Sequence, residues 1–419
     1  MYARLRNAAC FAVRLPGVID QAQDRKPSGH THAGPRFFIR QGESAVTQQE
    51  LIAFFEDLHS HPELGLQETR TTQKLKEMLD QAGIPYYPAG LETGMIAVIE
   101  GKQPGRVIGL RADMDALPIQ EEADVPYRSG TPGVMHACGH DFHTSCMLGA
   151  ALLIKERQAA LRGTVKIVFQ PAEEISRGGR VAAASPLLKD AAEFYACHTY
   201  PAFPSGVLGI KPGPVMAAPD AFTIRILGKG AHAGNPHQGV DPVPAMAALI
   251  LSAQTLLTRR KDAFEPAVLS FCHIRAGSTW NIVPEKVEIQ GTLRTLNEDL
   301  RRDTIARLDT LVSSIAQAHG CEGEIAWEKG PGPVVNDAAL CEEAKKIALD
   351  MGFSVRQQAN TMGGEDFSEY LKNRPGAFIR VGTGGEYANH HPLFRVDENA
   401  LYPAARFFAE LAIRRAAQP

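Results

Sequence analysis

The side chains in this sequence that are best suited to chemistry are a thiol, imidazoles and carboxylates that recur between residues 136 and 391. Thiolate and imidazole are good ligands for zinc and similar divalent ions, and a carboxylate adds an oxygen ligand. In the segment His136–His143 a single glycine separates a cysteine from a histidine, so both can face one site if the chain turns there. The candidate metal ligands are Cys138, His140, Glu174, His198 and His390. This set is large enough for two ions that share a bridge.

Two adjacent glutamates, Glu173 and Glu174, divide naturally between two tasks. Hydrolysis by metal-activated water needs an oxygen ligand and also a proton acceptor. We therefore expect Glu174 to bind metal and Glu173 to act as general base. The competing interpretation is a pair of solvated glutamates at the start of a helix. A lone cysteine such as Cys138 is likewise more often a buried apolar residue than a ligand.

Several of these polar groups directly follow predicted strands. Val165–Phe169 predicts a buried strand that ends just before the two glutamates, and Phe194–Cys197 predicts another that delivers His198 at its end. In an open α/β sheet, ligands bind beyond the carboxyl ends of the strands. Asp113 and Asp115 follow a third predicted strand. They either bind or orient ligands there, or are turn residues bonded to their own backbone.

The order of predicted elements divides the chain into four segments. Residues 45–215 and 326–419 alternate strands and helices, which predicts one α/β catalytic domain in two parts. Residues 216–325 change to alternating strands with two helices, which predicts an inserted α+β domain. Residues 1–44 contain arginines before the first acid and then a polar stretch, so we expect a disordered or targeting-like extension.

A capping box, Thr47–Glu50, predicts the first helix, which should end near Pro62. His59 and His61 then lie close to the carboxyl end of this helix. We interpret both as surface histidines in a favourable contact with the helix dipole, and we assign neither to the metal.

Length and composition restrict the class of protein. At 419 residues the chain is long for one hydrophobic core, which favours two domains. A net charge of −3 without blocks of like charge argues against nucleic acid or membrane partners and favours small-molecule chemistry. No apolar run approaches the roughly 20 residues that span a bilayer. The cysteines are scattered and odd in number, so they do not form the pattern of a disulfide framework. This indicates a reducing compartment, and we expect a cytoplasmic protein.

Several ordered motifs resemble those of the hippurate hydrolase and auxin-conjugate hydrolase branch of the aminoacylase-type dinuclear metallopeptidases. The resemblance runs from about residue 50 to residue 408 and is carried by Arg111–Pro118, His136–His143, Gln170–Glu174, Gly228–Ala233, Met362–Phe367 and His390–Pro392. It implies a phosphorylase/hydrolase-like catalytic domain with a central mixed sheet. It also implies a ferredoxin-like inserted domain that acts as a lid and makes the dimer contact. The implied cofactor is two divalent ions per subunit, Zn or Mn, with Co or Ni as further options.

The same resemblance assigns a role to each matching residue. It implies the metal ligands Cys138, His140, Glu174, His198 and His390. Glu173 becomes the general acid and base, and His232 polarises the scissile carbonyl. Asn281 and Arg294 would bind the substrate's carboxylate and backbone-like groups, a task for which arginine is well suited. Whether His232 serves its own active site or that of a partner chain stays open.

The sequence thus predicts a metal-dependent amidohydrolase that cleaves hippurate-like N-acyl or N-aroyl amino acids to a carboxylic acid and a free amino acid. We expect a homodimer. The enzymatic alternative is a dipeptidase, a carboxypeptidase or an N-acetyl-amino-acid deacetylase on the same scaffold. A non-catalytic, metal-dependent ligand-binding protein is the alternative from another class, and the presence of Glu173 argues against it.

Overall fold

The computed structural model describes residues 46–418, so the predicted extension at residues 1–44 lies outside the described part of the chain. The α-helices of that part are α1 (Gln48–Ser60), α2 (Thr69–Gln81), α3 (His140–Glu156), α4 (Gly178–Ala183), α5 (Pro242–Arg259), α6 (Glu298–Ala318), α7 (Ala338–Asp350), α8 (Ser368–Leu371) and α9 (Leu401–Ala416). None of these helices combines the length and apolar character needed to cross a membrane.

The strands of the described residues form two large sheets and two small ones. They are β1 (Tyr86–Pro88), β2 (Met95–Glu100), β3 (Gln103–Asp113), β4 (Arg162–Gln170), β5 (Glu193–Tyr200), β6 (Val207–Gly209), β7 (Gly213–Met216), β8 (Ala218–Leu227), β9 (Ala231–His232), β10 (Ala267–Ala276), β11 (Ile282–Val283), β12 (Lys286–Thr295), β13 (Glu322–Glu328), β14 (Val334–Asn336), β15 (Ser354–Arg356) and β16 (Gly376–Gly382).

The larger sheet is mixed, with the strand order β1-β2-β4-β3-β5-β16-β6-β15. Its central strands β4, β3, β5 and β16 run parallel, whereas β2 and β6 are antiparallel to their neighbours β4 and β16. One hydrophobic core joins a face of the sheet to α1, α2, α3, α7 and α9, and a second core lies on the other face with α4 and α8. Coverage on both faces explains why β4 and β5 read as continuous apolar runs. The predicted α/β fold with a central mixed sheet is confirmed.

Parallel central strands place their carboxyl ends at one edge of the sheet. Asp113 at the end of β3 is paired in register with Gln170 at the end of β4. On the other side, His198 of β5 is paired with Arg380 of β16. Polar side chains from β3, β4, β5 and β16 therefore lie at this edge, although β16 is far from the other three strands in the sequence.

The second large sheet is antiparallel, with the order β10-β12-β8-β13, and α5 and α6 complete its hydrophobic core. Along the chain these elements follow the pattern β-α-β-β-α-β, which is the ferredoxin-like arrangement. The strand β13 was not predicted from the sequence. Exposed and half-buried positions alternate along it, and glutamates stand at both of its ends. A strand at the edge of a sheet with one solvated face presents few apolar positions to detect.

The first helix begins as predicted, because Thr47 and Glu50 form the capping box. His61 is exposed, but the prediction of a surface position is wrong for His59, which is buried. Its Nδ1 lies 2.6 Å from Asp141 Oδ2, and its Nε2 lies 3.2 Å from Glu121 Oε1. Two carboxylates thus hold this imidazole between α1 and α3.

Candidate metal centre

A tight turn at Gly139 places Cys138 and His140 at one site. Gly139 has a φ of 85°, and a Cβ atom there would lie 2.7 Å from the side chain of Thr199. Glycine alone tolerates both the left-handed backbone and this close approach. The turn leads directly into α3, whose first residue is His140. Potential ligand atoms of Cys138, His140 and His198 lie within 4.8 Å of one another.

A second group of potential ligands shares the thiol of Cys138. It contains Glu174 and His390, again with all ligand atoms within 4.8 Å, and His390 Nε2 lies 3.3 Å from Glu174 Oε1. His390 adopts a φ of 68°, which a histidine rarely does, and its N–H donates to Ala137 O at 2.7 Å. Such strained backbone is concentrated at functional sites. The five sequence-predicted ligands are thus brought together.

Buried polar atoms that lack a hydrogen-bond partner indicate whether these residues are suited to bind metal ions. His140 Nε2 and Glu174 Oε1 are buried, lie 3.7 Å apart and have no hydrogen-bond partner within the described residues. A buried polar atom without a partner is costly and is normally avoided. A sulfur, nitrogen and oxygen donor set of this kind suits zinc and similar divalent ions. Two overlapping groups that share Cys138 fit a pair of ions.

Asp115 orients the candidate ligands. Its Oδ1 lies 3.2 Å from His140 Nδ1, and its two oxygens accept the N–H groups of Glu173 and Glu174 at 3.0 Å each. A carboxylate on one imidazole nitrogen fixes the tautomer that leaves the other nitrogen free for metal. The sequence left open whether Asp115 binds ligands, orients them or only stabilises a turn. These contacts support the orienting role.

Asp113 holds His143 in place. His143 Nδ1 lies 2.5 Å from Asp113 Oδ1, and His143 Nε2 accepts the Thr199 N–H at 2.7 Å. Both ring nitrogens are therefore used inside the protein, so His143 ties α3 to β5 and is not free to bind metal. Asp113 also accepts from Arg111 at 2.7 Å.

The two glutamates differ in their electrostatic surroundings. Burial, followed by Glu365 and Asp366, raises the pKa of Glu173 well above its ordinary value. Burial also raises the pKa of Glu174, but the 3.3 Å contact with His390 and the charge of His140 outweigh it and lower that pKa below its ordinary value. Neighbouring carboxylates with pKa values moved apart are typical of a proton acceptor beside a ligand.

A buried ionic network centred on Arg111 lies next to Glu173. Arg111 donates to Gln170 Oε1 at 3.0 Å and to Asp366 Oδ1 at 2.7 Å, and it lies 3.0 Å from Glu365. Gly179 N–H also donates to Asp366, at 2.7 Å. These contacts fix the loop after Met362 against the strand ends. Arg111, Gln170, Glu365 and Asp366 all lie in the motifs that carry the family resemblance, but residue type and spacing alone predict no role for them.

A cleft of about 570 Å³ opens above the candidate ligands. Arg294 of β12 lines it, together with Glu173, Glu174 and His390. His232 and Asn281 do not line it. His232 lies on β9 of the small two-stranded β9–β11 sheet and is exposed, and Asn281 directly precedes β11. The structure thus brings one of the three residues expected from the inserted segment to the cleft.

The chain is similar to known hydrolases, which is consistent with a catalytic metal centre at this site. The model of peptidase family M20/M25/M40 matches residues 109–414. An N-acetylcysteine deacetylase of Bacillus subtilis is 40% identical over 364 residues, which covers 87% of this chain and 96% of the relative. An N-acyl-L-amino acid amidohydrolase of Geobacillus stearothermophilus is 41% identical over 288 residues, which covers 68% of this chain and 78% of the relative. An N-acetyldiaminopimelate deacetylase of Enterococcus faecalis is 38% identical over 363 residues, with coverage of 85% and 95%.

A solved structure shares the fold over nearly its whole length. The crystal structure of the Bacillus subtilis YXEP protein, a dinuclear metal-binding peptidase of the M20 family, superposes with a TM-score of 0.80 at 38% identity. The match covers 88% of this chain and 98% of the relative. The chain therefore belongs to peptidase family M20/M25/M40. It is a metal-dependent amidohydrolase with two divalent ions as its cofactor, which confirms the predicted enzyme class and cofactor.

Proposed function

We propose that this enzyme hydrolyses the amide bond of N-acyl amino acids to release a carboxylic acid and a free amino acid. The observation that carries the proposal is the position of Glu173, whose buried carboxylate stands beside an unsatisfied ligand set in a cleft that also receives Arg294. The relatives named as deacetylases and as an N-acyl-amino-acid amidohydrolase support the same bond type.

Each protein residue has a definite task in this proposal. When bound, the two ions polarise the scissile carbonyl and lower the pKa of water. Glu173 takes the proton of the attacking water and hands it to the leaving nitrogen. Arg294, which donates to Met362 O at 3.1 Å, binds the substrate's α-carboxylate. The proposed ligands are Cys138, His140, Glu174, His198 and His390.

The identity of the acyl group separates two versions of the function. Relatives named for acetylated amino acids are 40% and 38% identical to this chain, which favours a small acyl group. The hippurate-like version takes a bulkier aroyl group in the same cleft. In both versions the same amide bond is cleaved, Glu173 is the base and Arg294 contacts the α-carboxylate. They differ only in which acyl group is hydrolysed faster.

We also propose a homodimer in which residues 216–325 act as a lid and make the contact. β10 is an edge strand of the four-stranded sheet, and an unpaired edge readily pairs with another chain. Phe264, Trp280 and Leu251 expose 93%, 92% and 74% of their surface on this part of the chain. In such a dimer His232 and Asn281 would enter the partner's cleft, where His232 would donate to the developing oxyanion.

A cytoplasmic location fits the chemistry of the thiols. All six cysteines within the described residues are free, including Cys138. Free thiols persist in reducing compartments, whereas oxidising compartments favour disulfides. We propose that the thiol of Cys138 depends on this environment to stay available for metal.

A turnover assay tests the proposed function. Metal-free protein would be reloaded with manganese, cobalt or zinc and given N-acetyl amino acids, hippurate and indole-acetyl amino acids. We expect amide hydrolysis of at least one class, with the acetyl compounds fastest. Absence of hydrolysis of every N-acyl amino acid with every metal would overturn the proposal and would favour a ligand-binding protein.

A further inference from the structure

Arg380 is a buried cation at the wall of the catalytic cleft. It lies on β16 in register with His198, so the two residues are neighbours on adjacent parallel strands, and such strands are spaced roughly 4.8 Å apart. The residue is 6% exposed and lines the cleft. Its guanidinium donates to Met216 Sδ at 3.1 Å and stacks over the ring of Tyr200, with 4.6 Å from Cζ to the ring centroid.

The partners of Arg380 carry no negative charge, which sets this arginine apart from the other buried arginines of the described chain. Arg111 pairs with Asp113 at 2.7 Å, Arg301 pairs with Asp220 at 2.6 Å, and Arg415 pairs with Glu193 at 2.7 Å. Arg380 Nε has no hydrogen-bond partner within that part of the chain. Burying a charge is costly unless an anion compensates it.

A second unsatisfied side chain stands beside Arg380. Gln358 is 2% exposed, and both its amide oxygen and its amide nitrogen have no hydrogen-bond partner within the described residues. A Cβ atom at Gly209 would lie 2.9 Å from Gln358 Oε1 and 3.1 Å from Arg380 Cβ, so the glycine makes room for both side chains. The unpaired amide of Gln358 thus lies near the Cβ atom of Arg380, and of these two side chains only Arg380 lines the cleft.

We propose that Arg380 binds a second carboxylate of the substrate. This inference rests on the proposed function, in which Arg294 binds the α-carboxylate, and it defines the substrate class as N-acyl amino acids that carry another carboxylate. A carboxylate fits better than a phosphate dianion, because one guanidinium faces a cleft that already contains Glu173, Glu174 and Glu365. The second carboxylate belongs either to the amino-acid side chain or to the far end of the acyl group.

Paired ligands of equal shape test the subsite by binding. The metal-loaded Glu173→Gln protein would be titrated calorimetrically with N-acetyl-L-glutamate and N-acetyl-L-glutamine, and then with N-succinylglycine and N-succinamoylglycine. A charge-assisted hydrogen bond contributes about 1.5–3 kcal/mol, so we expect the acid of one pair to bind about 10- to 100-fold more tightly than its amide. The pair that shows this preference identifies which end of the substrate reaches Arg380.

The preference should disappear in the Arg380→Met variant and persist in Arg356→Met. Arg356 is a matched control, because it also stacks on an aromatic ring, that of Phe203, but is exposed. If the methionine variant does not fold, Arg380→Lys keeps the charge without the planar fork and should retain a reduced preference. A purely structural role would lower the melting temperature and leave the preference unchanged.

Equal affinities within both pairs would overturn the subsite, as would a preference that survives Arg380→Met. Turnover by the parent enzyme distinguishes this failure from failure of the proposed function. Hydrolysis of neutral N-acetyl amino acids without any preference for acids would retain the function and reject the subsite. Absence of all amide hydrolysis would reject the function, and the binding titrations would still decide whether Arg380 receives a carboxylate.

Discussion

Asp115 and His140 form a buried pair in which Asp115 Oδ1 lies 3.2 Å from the imidazole Nδ1. The carboxylate fixes the ring so that Nε2 faces the other candidate ligands. Asp115→Asn keeps the size of the side chain but removes the charge that holds this tautomer. We expect metal affinity to fall about 10- to 100-fold, measured by competition with a chelator.

Asp124→Asn provides the control for the Asp115 variant. Asp124 also precedes α3 in the sequence, but its side chain is exposed. Its metal affinity should equal that of the parent protein. Parental affinity in Asp115→Asn would show that Asp115 does not orient His140 for metal binding.

Glu173→Gln should separate metal binding from catalysis. The amide keeps the shape of the side chain but removes the proton acceptor, so the rate should fall about 10²- to 10⁴-fold while metal content stays complete. Glu174→Gln, one residue along the chain, should lose metal instead. Elemental analysis and turnover on the same samples check both outcomes. A fully loaded Glu173→Gln protein with the parental rate would exclude Glu173 as the base.

His59 makes stability depend on pH. Burial alone lowers the pKa of His59, but Asp141 and Glu121 outweigh burial and raise this pKa to about 9. Because the folded pKa exceeds the ordinary value of about 6.5, the protonated imidazole contributes its full stability below about pH 6.5. That contribution is lost as pH rises through about 9. His59→Gln should cost about 3–5 kcal/mol of unfolding free energy at pH 6, because it leaves buried carboxylates without their cation.

The difference between the parent and His59→Gln should shrink steadily between pH 6.5 and pH 10 in denaturant titrations. His61→Gln is the matched control, since His61 is exposed two residues away. It should change the unfolding free energy by less than about 0.5 kcal/mol at every pH. A constant difference for His59→Gln across this range would show that His59 is not charged in the folded protein.

Subunit mixing tests whether His232 acts on the partner chain. Each site would need its own Glu173 and the partner's His232, so His232→Ala and Glu173→Gln homodimers should both be inactive. After subunit exchange, a heterodimer contains one site with both intact residues. Equal mixing should restore about a quarter of parental activity. Heterodimers confirmed by mass spectrometry that stay inactive would place His232 outside the partner's site.

The buried strands were predictable from sequence because their signal is local, whereas the exposed edge strand β13 was not. The candidate ligand set followed from residue types and from the resemblance of several separate motifs to a known family. Buried strands read as apolar runs, and the Cys138–His140 spacing needs only the turn that Gly139 makes. Asp115 and His59 were harder to interpret because their partners are distant in sequence. The sequence leaves several roles open for Asp115, and the N–H groups of Glu173 and Glu174 that donate to it decide among them. His59 was misassigned because nothing in its helix indicates that α3 covers it.

The chain order of the metal centre has a consequence for biosynthesis. Cys138, His140, Glu174 and His198 precede the four-stranded sheet, whereas His390 follows it, and β16 inserts between β5 and β6 only after residue 376 has been made. During synthesis from the amino end, four of the proposed ligands therefore leave the ribosome before the fifth is made. We therefore expect the complete set of proposed ligands to form only after translation, and a chain that ends before His390 would lack one of them.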